Sequence, residues 1–221
     1  MIYGNIRIMV IAMMPDRRIW DEEYIRRGTM WAGSTTGLPV LPAGSRVLEL
    51  GCGSGKTLGP LILQGLNVTA IDLSASALSM CRGREHGDPH TTLAVADATS
   101  LPFRSGSFDA VYAVHVMGHL KAPGRIACAA EIARVLEESG ILIFRAFSTS
   151  DFRCGNGVEV EPGTFRRGTG VFTHYFCEEE IGALFPALAC RGISRRSWTM
   201  RVRGIHHPRS EITAVFEKAL P

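Results

Sequence analysis

No apolar run in this chain approaches the roughly 20 residues that a membrane-spanning helix needs. The N-terminal stretch Ile6 to Met14, IRIMVIAMM, is about half that length. It is also a poor secretion signal, because its basic region is thin and Pro15, Asp16, Arg17 and Arg18 stand where a small-residue cleavage site should be. A docking strand, a small helix, or translated sequence upstream of a start at Met13 or Met14 accounts for it better, and the cytoplasm is the expected location. Paired cysteines are lacking too. Cys52, Cys81, Cys128, Cys154, Cys177 and Cys190 are scattered, with no C-x-x-C and no paired Cys/His spacing, so reduced thiols are expected rather than a zinc cluster or a disulfide framework. No repeat or low-complexity run occurs, and the formal net charge is only +3.

What is present is a glycine loop. Val47 to Leu58 reads VLELGCGSGKTL: a leucine- and valine-rich strand, then Gly51, Gly53 and Gly55 at alternate positions, then helical composition from Lys56 onward. Glycines at that spacing let the backbone turn tightly and approach a ligand where a β-carbon would collide. A phosphate-wrapping G-x-x-x-x-G-K-[ST] loop would need a first glycine where Leu50 stands. A dinucleotide fingerprint, G-x-G-x-x-G, would need a glycine where Lys56 stands.

The remaining pattern, Glu49 followed by Gly51, Gly53 and Gly55, resembles the first motif of the class I S-adenosylmethionine-dependent methyltransferases. Later segments extend the resemblance in order and spacing over Arg46 to Phe147. Asn67 to Leu73, NVTAIDL, reads as a second buried strand ending in Asp72, where a carboxylate can accept ribose hydroxyls. Thr92 to Ala98, TLAVADA, reads as a third ending in Asp97. Leu101 to Leu120, LPFRSGSFDAVYAVHVMGHL, is similar to the family's fourth-strand motif, and Glu131 to Phe144, EIARVLEESGILIF, to its helix, turn and fifth strand. The last turn, Glu137-Glu138-Ser139-Gly140, lacks the family's usual Pro and first Gly.

The resemblance implies a Rossmann-like α/β fold: a doubly wound, mostly parallel sheet with helices on both faces and a C-terminal antiparallel hairpin. It implies S-adenosylmethionine as cofactor. Glu49 would lie near its charged amino acid end, Asp72 and Leu73 at the ribose, Asp97 and the Ala98 amide at the adenine, and Val114 at the end of the fourth strand. The closest likeness is to the small-molecule branch that includes ubiquinone and menaquinone biosynthesis enzymes. The expected reaction is in-line methyl transfer to a small-molecule acceptor. An RNA-modifying enzyme and a non-catalytic binding domain are the alternatives.

The expected organisation is one domain over 1–221: an N-terminal cap (1–45), a cofactor-binding core (46–147), a variable substrate segment (148–176), and a C-terminal helix and hairpin (177–221). Trp20, Tyr24 and Trp31 recur at helical spacing in IWDEEYIRRGTMW. They read as an aromatic stripe packed on the domain. In similar enzymes such a helix caps the cofactor, which would make Tyr24 and Trp31 cofactor contacts. His115 and His119 are four apart, but no third ligand is signalled and no metal is expected.

Candidates for a general base are His119, His174 and Tyr175. Phe165, Phe172, His174 and Tyr175 are expected to line an acceptor pocket, or else to fill the core. Glu178 to Ala189 reads as a helix, and Trp198 to Gly204 and Glu211 to Lys218 as strands joined by Ile205 to Pro208. From Arg191 to Arg209 there are six arginines and no acid. That stretch reads as the solvated face of an edge hairpin, with an anionic small substrate or RNA as the functional alternatives.

Overall fold

The alternation of valine- and leucine-rich runs with helical segments winds the chain around a seven-stranded sheet. The computed structural model describes residues 15–29, 35–85 and 88–220. The expectations resting on Trp31 and on residues 6–14 lie outside the described residues. Helix α1 (Pro15–Arg27) precedes β1 (Arg46–Leu50), α2 (Leu58–Ile62), β2 (Asn67–Asp72), α3 (Ala75–Glu85), β3 (Thr91–Val95) and β4 (Phe108–Val114). Then follow α4 (Ala122–Val135), β5 (Leu136–Phe147) and three short strands, β6 (Val158–Glu161), β7 (Thr164–Arg166) and β8 (Phe172–His174). Helix α5 (Glu178–Leu184) leads into β9 (Leu188–Val202) and β10 (Ile205–Lys218).

The sheet order is β3-β2-β1-β4-β5-β10-β9, parallel from β3 to β5 and antiparallel from β5 to β9. Chain order reverses between β1 and β4, so the carboxyl ends of those strands flank a crevice, the usual ligand position in open α/β sheets. Helices cover both faces. Cys128, Ala129 and Ile132 of α4 and Ile181 of α5 pack on one core, while Leu58, Leu61, Leu78 and Cys81 from α2 and α3 pack on the other. On the first face Phe144 meets Phe176 and Phe185 edge-on, at 5.2 and 5.7 Å. Each such buried ring contributes about 1.5–3 kcal/mol.

Several boundaries differ from expectation, each for a local reason. Helical composition begins at Lys56, but α2 starts only at Leu58 and is five residues long. The third strand ends at Val95, so Asp97 and Ala98 lie in the turn beyond it. There Asp97 Oδ1 accepts from the Thr99 N–H and hydroxyl, both at 2.8 Å, a side-chain turn that competes with the ladder. The turn expected at Glu137–Gly140 survives as a bulge: Leu136 pairs with Phe108 and Ile141 with Ala110, and the four residues between loop out.

Helix α5 stops at Leu184 rather than Ala189, because Pro186 disfavours helical geometry at Phe185. The C-terminal strands turn at Arg203-Gly204, both with positive φ, so Ile205 to Pro208 belong to β10 and not to a loop. Since Glu211 is opposite Phe147, the last residue of β5, the hairpin runs on past the carboxyl edge of the sheet.

The 148–176 segment folds as a small antiparallel sheet, β6-β7-β8. Glu161 bridges it to α4: the Arg125 guanidinium donates to Glu161 at 2.8 Å, and Thr164 donates to the same carboxylate at 3.0 Å.

Candidate functional site

The turn after β1 holds Gly51, Gly53 and Gly55 at φ of 63°, 55° and 83°, a conformation side chains rarely adopt. Space is short as well. A β-carbon on Gly51 would stand 2.7 Å from Val116 Cγ2, and one on Gly53 would stand 2.6 Å from the Tyr24 hydroxyl. The Cys52 N–H donates to the Ile71 carbonyl at 2.9 Å, fastening the loop to β2. The neighbouring Cys81 thiol, and then burial, push the Cys52 thiol well up, away from the thiolate form.

Two acids stand under this loop. Glu49 is buried, and its Oε2 has no hydrogen-bond partner among the described residues. Burial holds its carboxyl well above the usual range. A buried acceptor left without a donor costs about 1–3 kcal/mol, so this atom marks a place where a donor is missing. Asp72, at the end of β2, accepts from the Gly53 N–H at 2.8 Å through one oxygen and from the Ser74 N–H at 2.9 Å through the other. Burial outweighs these bonds and raises its carboxyl. A carboxylate has about four lone-pair sites, so capacity to accept remains. Leu73 and Ala98 are half-buried at the same edge, as is Val114 at the end of β4.

Helix α1 closes the crevice. Tyr24 is almost wholly buried, and its phenol is raised by burial and by Asp72. Asp21, which the sequence did not single out, accepts from the Ser74 hydroxyl at 2.7 Å and from the Ser76 N–H at 3.1 Å. These bonds outweigh the upward pull of burial and hold its carboxyl below the usual range. They pin α1 to the start of α3. Trp20 meets His119 edge-on at 4.7 Å.

The three candidate bases separate. His119 Nδ1–H donates to the Phe172 carbonyl at 2.7 Å, and burial pulls the imidazole down to about 4. It is neutral at pH 7 and lies against α1, beside the crevice. His174 is a correction: Nδ1 is bonded to Thr164 at 2.7 Å and Nε2 to the Glu180 carboxylate at 2.8 Å. With both nitrogens engaged it is a strut of the β6-β7-β8 sheet, with no nitrogen left for a substrate. Tyr175 is another. Its hydroxyl accepts from Arg167 at 2.6 Å, and burial pushes it up to about 12. The expected aromatic lining divides: Phe165 and Tyr175 are buried in the core, whereas Phe172, under the Lys121 ammonium, lines a small recess with Trp20 and His119.

The arginine-rich stretch is largely spoken for. Arg191 meets Glu217 at 2.8 Å, Arg195 meets Glu178 at 3.1 Å, and the buried Arg209 meets Asp151 at 2.6 Å. Arg196 lies over the Trp198 ring. Among the described residues no group of three or more His, Cys, Asp and Glu is placed to hold a metal, and no helix is long and apolar enough to cross a membrane. A shallow recess among Arg46, Asn67, His90 and Phe108 lies at the starts of the strands, away from the glycine loop.

Known proteins resemble this chain in sequence and in fold. Residues 48–144 match the family model described as a methyltransferase domain. The tRNA N(3)-methylcytidine methyltransferase of Drosophila melanogaster is 28% identical over 190 residues, which is 79% of this chain and 58% of that protein. The demethylmenaquinone methyltransferase of Clavibacter sepedonicus is 35% identical over 120 residues, 54% of this chain and 48% of that protein. The chain thus spans only about half the length of these relatives. Among solved structures, an S-adenosylmethionine-dependent methyltransferase from Methanosarcina mazei matches with a TM-score of 0.69 at 22% identity, over 82% of this chain and 96% of that one. The 1,6-didemethyltoxoflavin-N1-methyltransferase of Burkholderia thailandensis, solved with S-adenosylhomocysteine, matches with a TM-score of 0.60 at 18% identity, over 80% and 72%. At such identities the structural likeness concerns the fold.

Proposed function

From the class I S-adenosylmethionine-dependent methyltransferase fold and domain that this chain carries, we propose that it transfers a methyl group from S-adenosylmethionine to a small-molecule acceptor. The observation that carries the cofactor half of this reading is the unpaired, buried Glu49 Oε2 beside three left-handed glycines at the switch point of the sheet. An ammonium group supplies the donor that this oxygen lacks. The glycine backbone would cradle the amino acid portion, Asp72 would accept ribose hydroxyls through its remaining lone pairs, and Asp97 with the Ala98 N–H would meet the adenine.

When bound, the cofactor supplies an electrophilic methyl group on a sulfonium, whose departure leaves a neutral thioether. The chain therefore has no expelled anion to stabilise. Its task is alignment and exclusion of water. Tyr24 and Trp20 of α1 cover the crevice, and Asp21 holds that cover to α3.

The small-molecule half rests on the arginines. A phosphate backbone is held by several free cations in a row, whereas Arg191, Arg195 and Arg209 each face a carboxylate of this chain. A crevice closed by α1 suits a compact acceptor better than a strand of RNA. The RNA reading draws on the exposed Arg201 and Arg203 at the hairpin tip and on the tRNA-modifying relative. Release of S-adenosylhomocysteine, measured across pooled metabolites and across total RNA, decides between them. Turnover is expected with the metabolite pool and unchanged in the R201S/R203S variant. Turnover with RNA alone, lost in that variant, would reverse the assignment.

A further inference from the structure

Glu49 Oε2 has a counterpart at the end of the neighbouring strand, where His115 Nδ1 is also buried without a partner among the described residues. His115 follows β4 directly and is held at φ 60°, a conformation that residues with a β-carbon rarely adopt. Such strain persists only where the surroundings over-determine it. Here the backbone N–H donates to the Arg145 carbonyl at 2.7 Å, the ring stacks on Phe147 at 4.3 Å, and Nε2 faces Glu211 Oε2 at 3.5 Å. The next residue, Val116, is the one that leaves no room for a β-carbon on Gly51. The imidazole therefore stands between the cofactor loop and the β5–β10 face.

Glu211 is largely buried, yet the pull of His115, Arg145 and Arg196 outweighs burial and holds its carboxyl below the usual range. It is thus a carboxylate, which can only accept. The nitrogen facing it carries the hydrogen, and Nδ1 is left as a free lone pair. His119 differs, because the carbonyl of Phe172 obliges its Nδ1 to be the donor. The charged and titratable groups acting on His115 come from four elements: Glu211 of β10, Arg145 of β5, Lys56 of the glycine loop and His119 of the turn after β4. Arg153 and Arg209 both lie over the Phe147 ring on which His115 stacks.

We propose that His115 Nδ1 takes the proton of the methyl acceptor, that Glu211 is the positioning residue fixing its tautomer, and that the acceptor attacks through a hydroxyl or ammonium group. This rests on the methyl-transfer reading above. The acceptor's O–H or N–H proton passes to Nδ1. The electron pair it leaves forms the bond to the methyl carbon, and the carbon–sulfur pair departs with the sulfur of S-adenosylmethionine.

The test follows the His115 ring nitrogens by NMR in 15N-labelled protein saturated with S-adenosylhomocysteine, with phenol as the hydroxyl probe. Nδ1 is expected to be the unprotonated nitrogen at neutral pH and to shift when phenol is added. Glu211→Gln should move the His115 titration to lower pH, and Glu211→Asp should restore most of it. His115→Asn keeps a residue tolerant of left-handed backbone. It should hold S-adenosylhomocysteine affinity within about threefold while turnover of any hydroxyl acceptor falls about 100-fold or more. A proton on Nδ1 at neutral pH, or a titration indifferent to Glu211→Gln, overturns the proposal. So does turnover that is lost in His119→Asn but kept in His115→Asn. Failure of S-adenosylhomocysteine to bind at all, read by calorimetry, would instead sink the methyl-transfer reading.

Discussion

The Tyr24 hydroxyl occupies the space that a β-carbon on Gly53 would need, 2.6 Å away. Helix and loop are therefore fitted to each other through the absence of a side chain. Gly53→Ala is expected to lose on both counts: left-handed backbone costs a residue with a β-carbon about 1–2 kcal/mol, and Tyr24 must withdraw. The melting temperature should fall by roughly 2–4 °C per kcal/mol in a chain of this size. Calorimetry should show S-adenosylhomocysteine binding weakened at least tenfold. Unchanged melting and binding would mean that the loop is not constrained as described.

S-adenosylmethionine or S-adenosylhomocysteine should raise thermal stability, while Mg-ATP and NAD should not. At a hundred times its dissociation constant a ligand contributes about 2.7 kcal/mol, a clear shift in a melting scan. A shift with Mg-ATP alone would restore the phosphate-loop reading.

Glu49 carries a pH signature. Burial raises its folded-state carboxyl well above 4.5, so the folded chain binds this proton more tightly than the unfolded one. That contribution is complete below the unfolded value and is lost as pH rises through the folded one. Stability without ligand should therefore decline with rising pH above the ordinary carboxylate range. Glu49→Gln should flatten the decline without abolishing it, because Asp72 is shifted in the same direction. The same variant should bind S-adenosylhomocysteine more weakly by about 1.5–3 kcal/mol, the range for a hydrogen bond to a charged group. Denaturant titrations at several pH values, with calorimetry of binding, check both halves.

Asp72→Ala should weaken binding by a similar ~1.5–3 kcal/mol, but not without cost to the fold. Its carboxylate is the acceptor for the Gly53 and Ser74 N–H groups, so unfolding stability should drop by about 1–3 kcal/mol for each donor left buried. Asp97→Ala should cost less in affinity, because adenine also gains from apolar contact. Normal binding by Asp72→Ala would show that the end of β2 is not where the ribose sits.

His174→Ala and Tyr175→Phe should act on stability and leave the chemistry alone. The first strips Thr164 and Glu180 of a buried partner, a loss of about 1–3 kcal/mol. S-adenosylhomocysteine affinity should stay within a few-fold. A large fall in turnover at unchanged stability would return either residue to the reaction.

Much of this is legible in the sequence. The glycine spacing after Glu49 and the acids ending successive apolar runs are local features, because a tight turn and a buried strand impose their own residue choices within a few positions. Those segments occur as β1 and β2 near their expected limits, and β4 lies within the motif from Leu101 to Leu120. Short-range competition blurred the edges: Asp97 turned the chain early through Thr99, and Pro186 ended α5 before Ala189. The 148–176 segment showed no pattern because its strands are only three or four residues long and are held by side chains from elsewhere, such as Arg125 on α4.

The roles of single histidines were decided by tertiary structure alone. His119, His174 and His115 look equivalent as letters, but a ring nitrogen is useful only if nothing has already claimed it. Thr164 and Glu180 claim both nitrogens of His174, and Phe172 claims one of His119. What makes His115 distinct is Glu211, which lies 96 positions further along and reaches it only because β10 pairs antiparallel with β5. The sequence by itself determined where a ligand would meet bare backbone, since conformational strain and steric room are properties of adjacent residues. Which side chains remained free to act on that ligand depended on hydrogen bonds between distant strands, and those exist only once the sheet has closed.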